Sequence, residues 1–136
     1  MDGNQPDNRT AMKILIVDDD PIMREILLEF LKRQGYAVTT ATTGQEALEI
    51  FKENPFTIII SDWMMPELDG LQLTAAIRQM EAEATAPRTP IVALTANAME
   101  GDAERCLDAG MDDYLAKPME SAKLKEALAR WLTADA

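Results

Sequence analysis

The stretch FTIIISDWMMPELDG, residues 56–70, decides how this chain is read. Phe56, Thr57 and the three isoleucines Ile58, Ile59 and Ile60 are aromatic or β-branched and suit a buried strand. That strand runs into Asp62, followed by a loop of Trp63, Met64, Met65 and Pro66. A carboxylate is seldom set beside a core without a partner. Asp62 is therefore either a turn residue or a charge that something at the strand's end requires.

Outward from this strand, strand and helix signals alternate five times. Upstream, KILIV (Lys13–Val17) is a short apolar run of strand length. DDDPIMREILLEFLKRQG follows as a helix, with Asp20 placed as N-cap and Pro21 at its first position. Ile22, Ile26 and Phe30, with Leu27 and Leu31, supply its apolar stripe, and Gly35 its stop. YAVTTA (36–41) reads as the second strand, and Thr43 and Glu46 stand at capping-box spacing for a second helix. Downstream, Leu73, Ile77 and Met80 recur at helical spacing, and TAPRTP (85–90) reads as a surface connection. IVAL (91–94) is a fourth strand, 99–110 a fourth helix ending at Gly110, and DYLA (113–116) a fifth strand. SAKLKEALARWL (121–132) is a closing helix with Leu124, Leu128, Trp131 and Leu132 on one face.

Near-continuous apolar runs, rather than alternation, indicate strands buried on both faces. The expectation is an α/β three-layer sandwich: five parallel strands with five helices, in the flavodoxin-like order 2-1-3-4-5. Residues 1–11 read as a flexible polar tail, and the compact domain is expected over 12–136.

Composition narrows the function. A chain of 136 residues is one domain by length, and 47% hydrophobic with 27% charged is ordinary globular content. The net charge of -11, from 13 Lys and Arg against 24 Asp and Glu, disfavours nucleic acid and anionic membrane surfaces. It favours cations and basic partner surfaces. There is no histidine, which excludes a histidine base, a histidine metal ligand or a Ser-His-Asp or Cys-His enzyme on this chain. A single cysteine, Cys106, allows no internal disulfide, and its helical spacing with Ala103 and Leu107 suits a core position. With no apolar run of membrane-spanning length, a cytoplasmic location is expected.

The strand ends carry the chemistry. Strand one ends in Asp18 and Asp19, strand three in Asp62, strand four in Thr95 and strand five in Lys117. In the 2-1-3-4-5 order these side chains converge on the crevice at the carboxyl edge. Each alone has an ordinary explanation as a cap, turn or solvated residue; their convergence does not. Three crowded carboxylates call for a cation, and hard oxygen ligands few in number fit Mg²⁺. A lysine and a hydroxyl opposite them suit a transferring phosphoryl group.

The order ILIVDDDP, IIISDWMMPELDG, ALTANA, YLAKP resembles the receiver domain of two-component response regulators, over about residues 12–132. The resemblance implies that Asp62 is the phosphoacceptor, attacking a partner's phosphohistidine to form an aspartyl phosphate. It implies a Mg²⁺ site of Asp18, Asp19, Asp62 and the backbone carbonyl of Met64. Thr95 and the Ala96 backbone N–H would bind the phosphoryl group, Lys117 would pair with one of its oxygens, and the Lys117–Pro118 bond would be cis. Tyr114 would be the aromatic switch that reshapes the face of the fourth helix, fifth strand and fifth helix. Trp63 and Met65 flank the acceptor, as gates or as loop packing.

Implied partners are a sensor histidine kinase or histidine phosphotransferase and a downstream protein target. The domain would be a phosphoacceptor that catalyses only its own phosphorylation and dephosphorylation. Alternatives are a fragment of a hybrid kinase or multidomain regulator, or a relay intermediate. A flavodoxin-type electron carrier is disfavoured, because three aspartates occupy the place of its phosphate loop. An Asp-nucleophile, Mg²⁺-dependent phosphatase is the remaining different class, but DDDPIM lacks the pattern that follows its D-x-D.

Overall fold

The structure is a computed structural model that describes residues 12–54, 56–62, 70–84, 88–95, 104, 107–116 and 121–132. Five strands form one parallel sheet: β1 (Lys13–Val17), β2 (Ala37–Ala41), β3 (Ile58–Asp62), β4 (Ile91–Thr95) and β5 (Asp113–Ala116). Their order is β2-β1-β3-β4-β5, as expected. Among the described residues four helices connect or close them: α1 (Pro21–Arg33), α2 (Gly44–Glu53), α3 (Gly70–Ala84) and α4 (Ser121–Leu132). The fifth expected helix, over 99–110, falls largely outside the described residues; Glu104, Leu107 and Asp108 are helical, and Gly110 follows at φ +105°.

Both sheet faces are covered, which is why the inner strands β1, β3 and β4 are mostly apolar, while the edge strand β2 (AVTTA) is exposed on alternate residues. On one side Ile14, Ile16, Ile58, Ile60, Val92 and Leu94 pack with Leu27 and Leu31 of α1 and Leu124 and Leu128 of α4. On the other, Leu15, Val17, Ile59, Ile91 and Ala93 pack with Ala47 of α2 and Leu73 and Ile77 of α3. Alternate residues of one strand thus feed two separate cores.

Helix α1 is set as the sequence predicts at both ends. Asp20 caps it, accepting from the Ile22 N–H at 3.0 Å, with Pro21 in the first turn. At its other end Gly35 takes φ +96°, and the Gly35 and Tyr36 N–H groups return to the Lys32 and Leu31 carbonyls. Its apolar stripe differs from expectation. Leu27 and Leu31 are buried with Met23 and Phe30 beside them, whereas Ile22 is 71% and Ile26 54% exposed. The two isoleucines sit about 100° around the helix from the core-facing residues, so they form a second, solvent-facing apolar edge.

The α2 cap also departs in detail. The Thr43 hydroxyl accepts from the Glu46 N–H at 3.0 Å, but the Glu46 carboxylate reaches one residue further back. It accepts from the Thr42 N–H at 2.7 Å and the Thr42 hydroxyl at 2.9 Å. Those bonds, the Thr42 backbone first, hold the Glu46 carboxyl below its ordinary value, and the Arg24 charge adds to them against the opposing effect of burial.

At the amino edge of β4 and β5 lies a cluster the sequence does not announce. The Arg78 guanidinium of α3 donates to Glu81 at 2.9 Å, the Thr89 carbonyl at 2.8 Å, the Gly110 carbonyl at 3.0 Å and Asp112 at 2.7 Å. Arg88 donates to the same Gly110 carbonyl and to Asp112. Glu81 and Asp112 in turn accept from the Thr89 and Ile91 N–H groups. The left-handed Gly110 fits closely here: a Cβ would lie 3.3 Å from both Arg78 Cγ and Thr74 Cγ2. Removing the guanidinium leaves the buried Glu81 without its counter-charge and Asp112 with Arg88 alone. Arg78→Ala is expected to lower unfolding stability by about 3 kcal/mol, read as a lower urea midpoint at unchanged slope.

Candidate functional site

Parallel register brings the acids together. Val17 of β1 pairs with Ser61 of β3, so the next step along both strands sets Asp18 beside Asp62. These are the central strands on either side of the point where the chain direction across the sheet reverses, the place where such folds leave a crevice. Asp18, Asp19 and Asp62 each offer a carboxylate oxygen, and these atoms all lie within 4.8 Å of one another. Asp18 is fully buried, Asp62 is 6% exposed and Asp19 faces solvent. The cluster therefore has a floor and an open side.

Asp18 is held closely. Its N–H donates to the Ala41 carbonyl, extending the β1–β2 ladder by one bond. Its Oδ1 accepts from the Asp20 N–H at 2.9 Å, and its carbonyl accepts from an Arg24 Nη at 2.9 Å. Beside Asp62, the buried Ser61 hydroxyl donates to the Asp62 carbonyl at 3.0 Å. Thr95 ends β4 opposite Ala116. Tyr114 is half-buried on β5, packs against the core on the α2–α3 side, and pairs with Ala93. Met64, Ala96, Lys117 and Pro118 lie outside the described residues, as do Trp63, Met65 and Cys106. The structure thus brings together Asp18, Asp19 and Asp62, and sets Thr95 at the same edge of the sheet. Sequence reading missed Arg24, whose signal was available: it is a cation in the opening turns of a helix, where the dipole disfavours one.

Like charges at 4.8 Å repel by about 1 to 3 kcal/mol per pair in a surface environment. Three oxygens of three carboxylates, one of them open to water, form a donor set suited to a small hard divalent cation. Among the described residues the cluster holds carboxylates and no thiolate or imidazole, a set better suited to a hard cation than to zinc or copper.

The comparisons with known proteins agree with this geometry. The response regulator receiver domain profile matches residues 14–129. The chain belongs to the response regulator receiver domain family, the phosphoacceptor signalling modules of two-component systems. It is 42% identical over 123 residues to the sensor histidine kinase RcsC of Salmonella typhi, covering 90% of this chain and 12% of that kinase. It is 39% identical over 121 residues to the sensor histidine kinase GacS of Pseudomonas protegens, covering 89% of this chain and 13% of GacS. The chain thus spans about an eighth of the length of these relatives. In fold it is similar to the receiver domain of the Saccharomyces cerevisiae response regulator Ssk1, solved with the phosphotransfer protein Ypd1. The TM-score there is 0.84, with 34% identity and 88% of each chain covered. The receiver domain of a Pseudomonas aeruginosa sensor histidine kinase, solved with magnesium in its active-site cleft, gives TM-score 0.80 and 41% identity. That match covers 90% of this chain and 98% of the other. Among the described residues no helix is long and apolar enough to cross a membrane.

Charge crowding makes a testable statement about the metal-free protein. Asp19→Asn, which removes the exposed member, is expected to raise unfolding stability by about 1 kcal/mol. Chemical denaturation in the presence of a chelator reads this directly.

Proposed function

We propose that Asp62 of this receiver is the phosphoacceptor and that Asp18, Asp19 and the Met64 carbonyl join it in holding Mg²⁺. The observation that carries the reading is the β1–β3 register, which sets Asp62 against two further carboxylates at the sheet's carboxyl edge. Bound Mg²⁺ would supply the positive charge that lets an anionic donor approach. An Asp62 carboxylate oxygen attacks phosphorus in line; the new O–P bond forms as the N–P bond of a partner phosphohistidine breaks, and the imidazole leaves with the electron pair. Thr95, the Ala96 N–H and Lys117 are assigned to the phosphoryl oxygens. Tyr114 is assigned as the side chain that responds to the added charge of about -1.5 to -2. The phosphodonor, lacking on a chain without histidine, is a sensor histidine kinase or histidine phosphotransferase, and the output is a protein target. The likeness to kinase-borne receivers favours a phosphorelay setting, with this domain working as part of a hybrid kinase or beside one.

Intact mass after incubation with Mg²⁺ and acetyl phosphate tests the acceptor. One phosphoryl adduct is expected on the native chain, none with chelator and none on Asp62→Asn. An adduct that survives in Asp62→Asn would move the nucleophile elsewhere.

The exposed Ile22 and Ile26 stand in the opening turns of α1, the helix that follows directly on the Asp18–Asp19 pair. We assign them to the docking of the histidine-bearing partner. Ile22→Asp is expected to slow transfer from a phosphorylated phosphotransfer protein about tenfold, equivalent to about 1.4 kcal/mol of docking energy. Labelling by acetyl phosphate, which needs no docking face, should be unchanged.

A further inference from the structure

We propose that Arg24 is a positioning residue for the metal site, acting through the backbone of Asp18; this rests on the Mg²⁺ reading above. Arg24 stands in the opening turns of α1, where the helix dipole disfavours a cation. A helical side chain leans toward its own N-terminus, so Arg24 reaches back over the β1–α1 connection. There its guanidinium donates to the Asp18 carbonyl at 2.9 Å in a partly buried contact. With the Ala41 carbonyl on its N–H and the Asp20 N–H on its Oδ1, Asp18 is then fixed at both backbone groups and at one carboxylate oxygen. The peptide that Arg24 holds is the one joining Asp18 to Asp19, so its orientation sets the aim of both carboxylates. The Arg24 charge also adds, as the smallest contribution, to what holds the Glu46 carboxyl below its ordinary value.

Two effects of this side chain on a bound cation have opposite signs. Through space, a positive charge bonded to the Asp18 carbonyl repels a second cation, so its removal would tighten Mg²⁺ binding. Through structure, it pre-sets the ligands, and removal of such a supporting partner typically weakens metal affinity by about 10- to 100-fold. The hydrogen bond to the Asp18 carbonyl indicates that the structural effect dominates.

The test is calorimetric titration of MgCl₂ into the native chain, Arg24→Met and Arg24→Lys at fixed ionic strength, with metal-free unfolding curves alongside. Arg24→Met keeps the apolar stem and removes both charge and donor. Mg²⁺ affinity about tenfold weaker in Arg24→Met, and partly restored in Arg24→Lys, is the expected result. Equal or tighter binding by Arg24→Met overturns the proposal, whether or not its metal-free stability falls, because a simple helix-to-strand tie would change stability alone. If Arg24→Met does not fold, the same titration is made with trimethylamine N-oxide restoring the fold. A native chain that binds no Mg²⁺ would instead sink the metal reading itself, before any variant is compared.

Discussion

Three carboxylates whose oxygens come within 4.8 Å of one another set a cost on the folded chain that the unfolded chain escapes. The parallel register leaves no way around it, since a step beyond the Val17–Ser61 pair brings Asp18 and Asp62 side by side. Much of the rest of the molecule makes this arrangement tolerable. Two cores, one on each face of the sheet, hold β1 and β3 from both sides. The Asp18 backbone is tied to β2 and to α1, so the crowded acids cannot relax by tilting the strand end.

Most of this architecture is legible in the sequence because apolar runs, caps and strand ends are local signals. Asp20, Pro21, Thr43 and Gly35 sit at helix ends and act there as their chemistry dictates. Burial on both faces indicates a parallel sheet, right-handed crossovers leave few strand orders, and the flavodoxin-like one in turn predicts which strand ends meet. What a single helix cannot declare is its rotation. Ile22 and Ile26 fit an apolar spacing as well as Met23 and Leu27 do, and only the packing of α1 on the sheet decides which row is inside.

Long-range polar contacts are hidden for a different reason. Arg78 and Arg88 look like any helix or loop arginine, and their partners Gly110 and Asp112 are more than twenty residues away in the chain. No periodicity encodes such a pairing. Arg24 lies between these cases: its helical position argues against a cation there, but its partner is visible only in three dimensions.

The Arg78 cluster closes the amino edge of β4 and β5, while the acids crowd the carboxyl edge of β1 and β3. Five-residue strands separate the two edges by about 17 Å. That is well beyond the roughly 7–10 Å within which mutational effects usually couple. Their free energies therefore add almost independently, which divides the molecule into a pole that holds it folded and a pole that can be tuned. Sequence drift at one pole leaves the other nearly undisturbed, and a lineage can alter its chemistry without first repairing its scaffold.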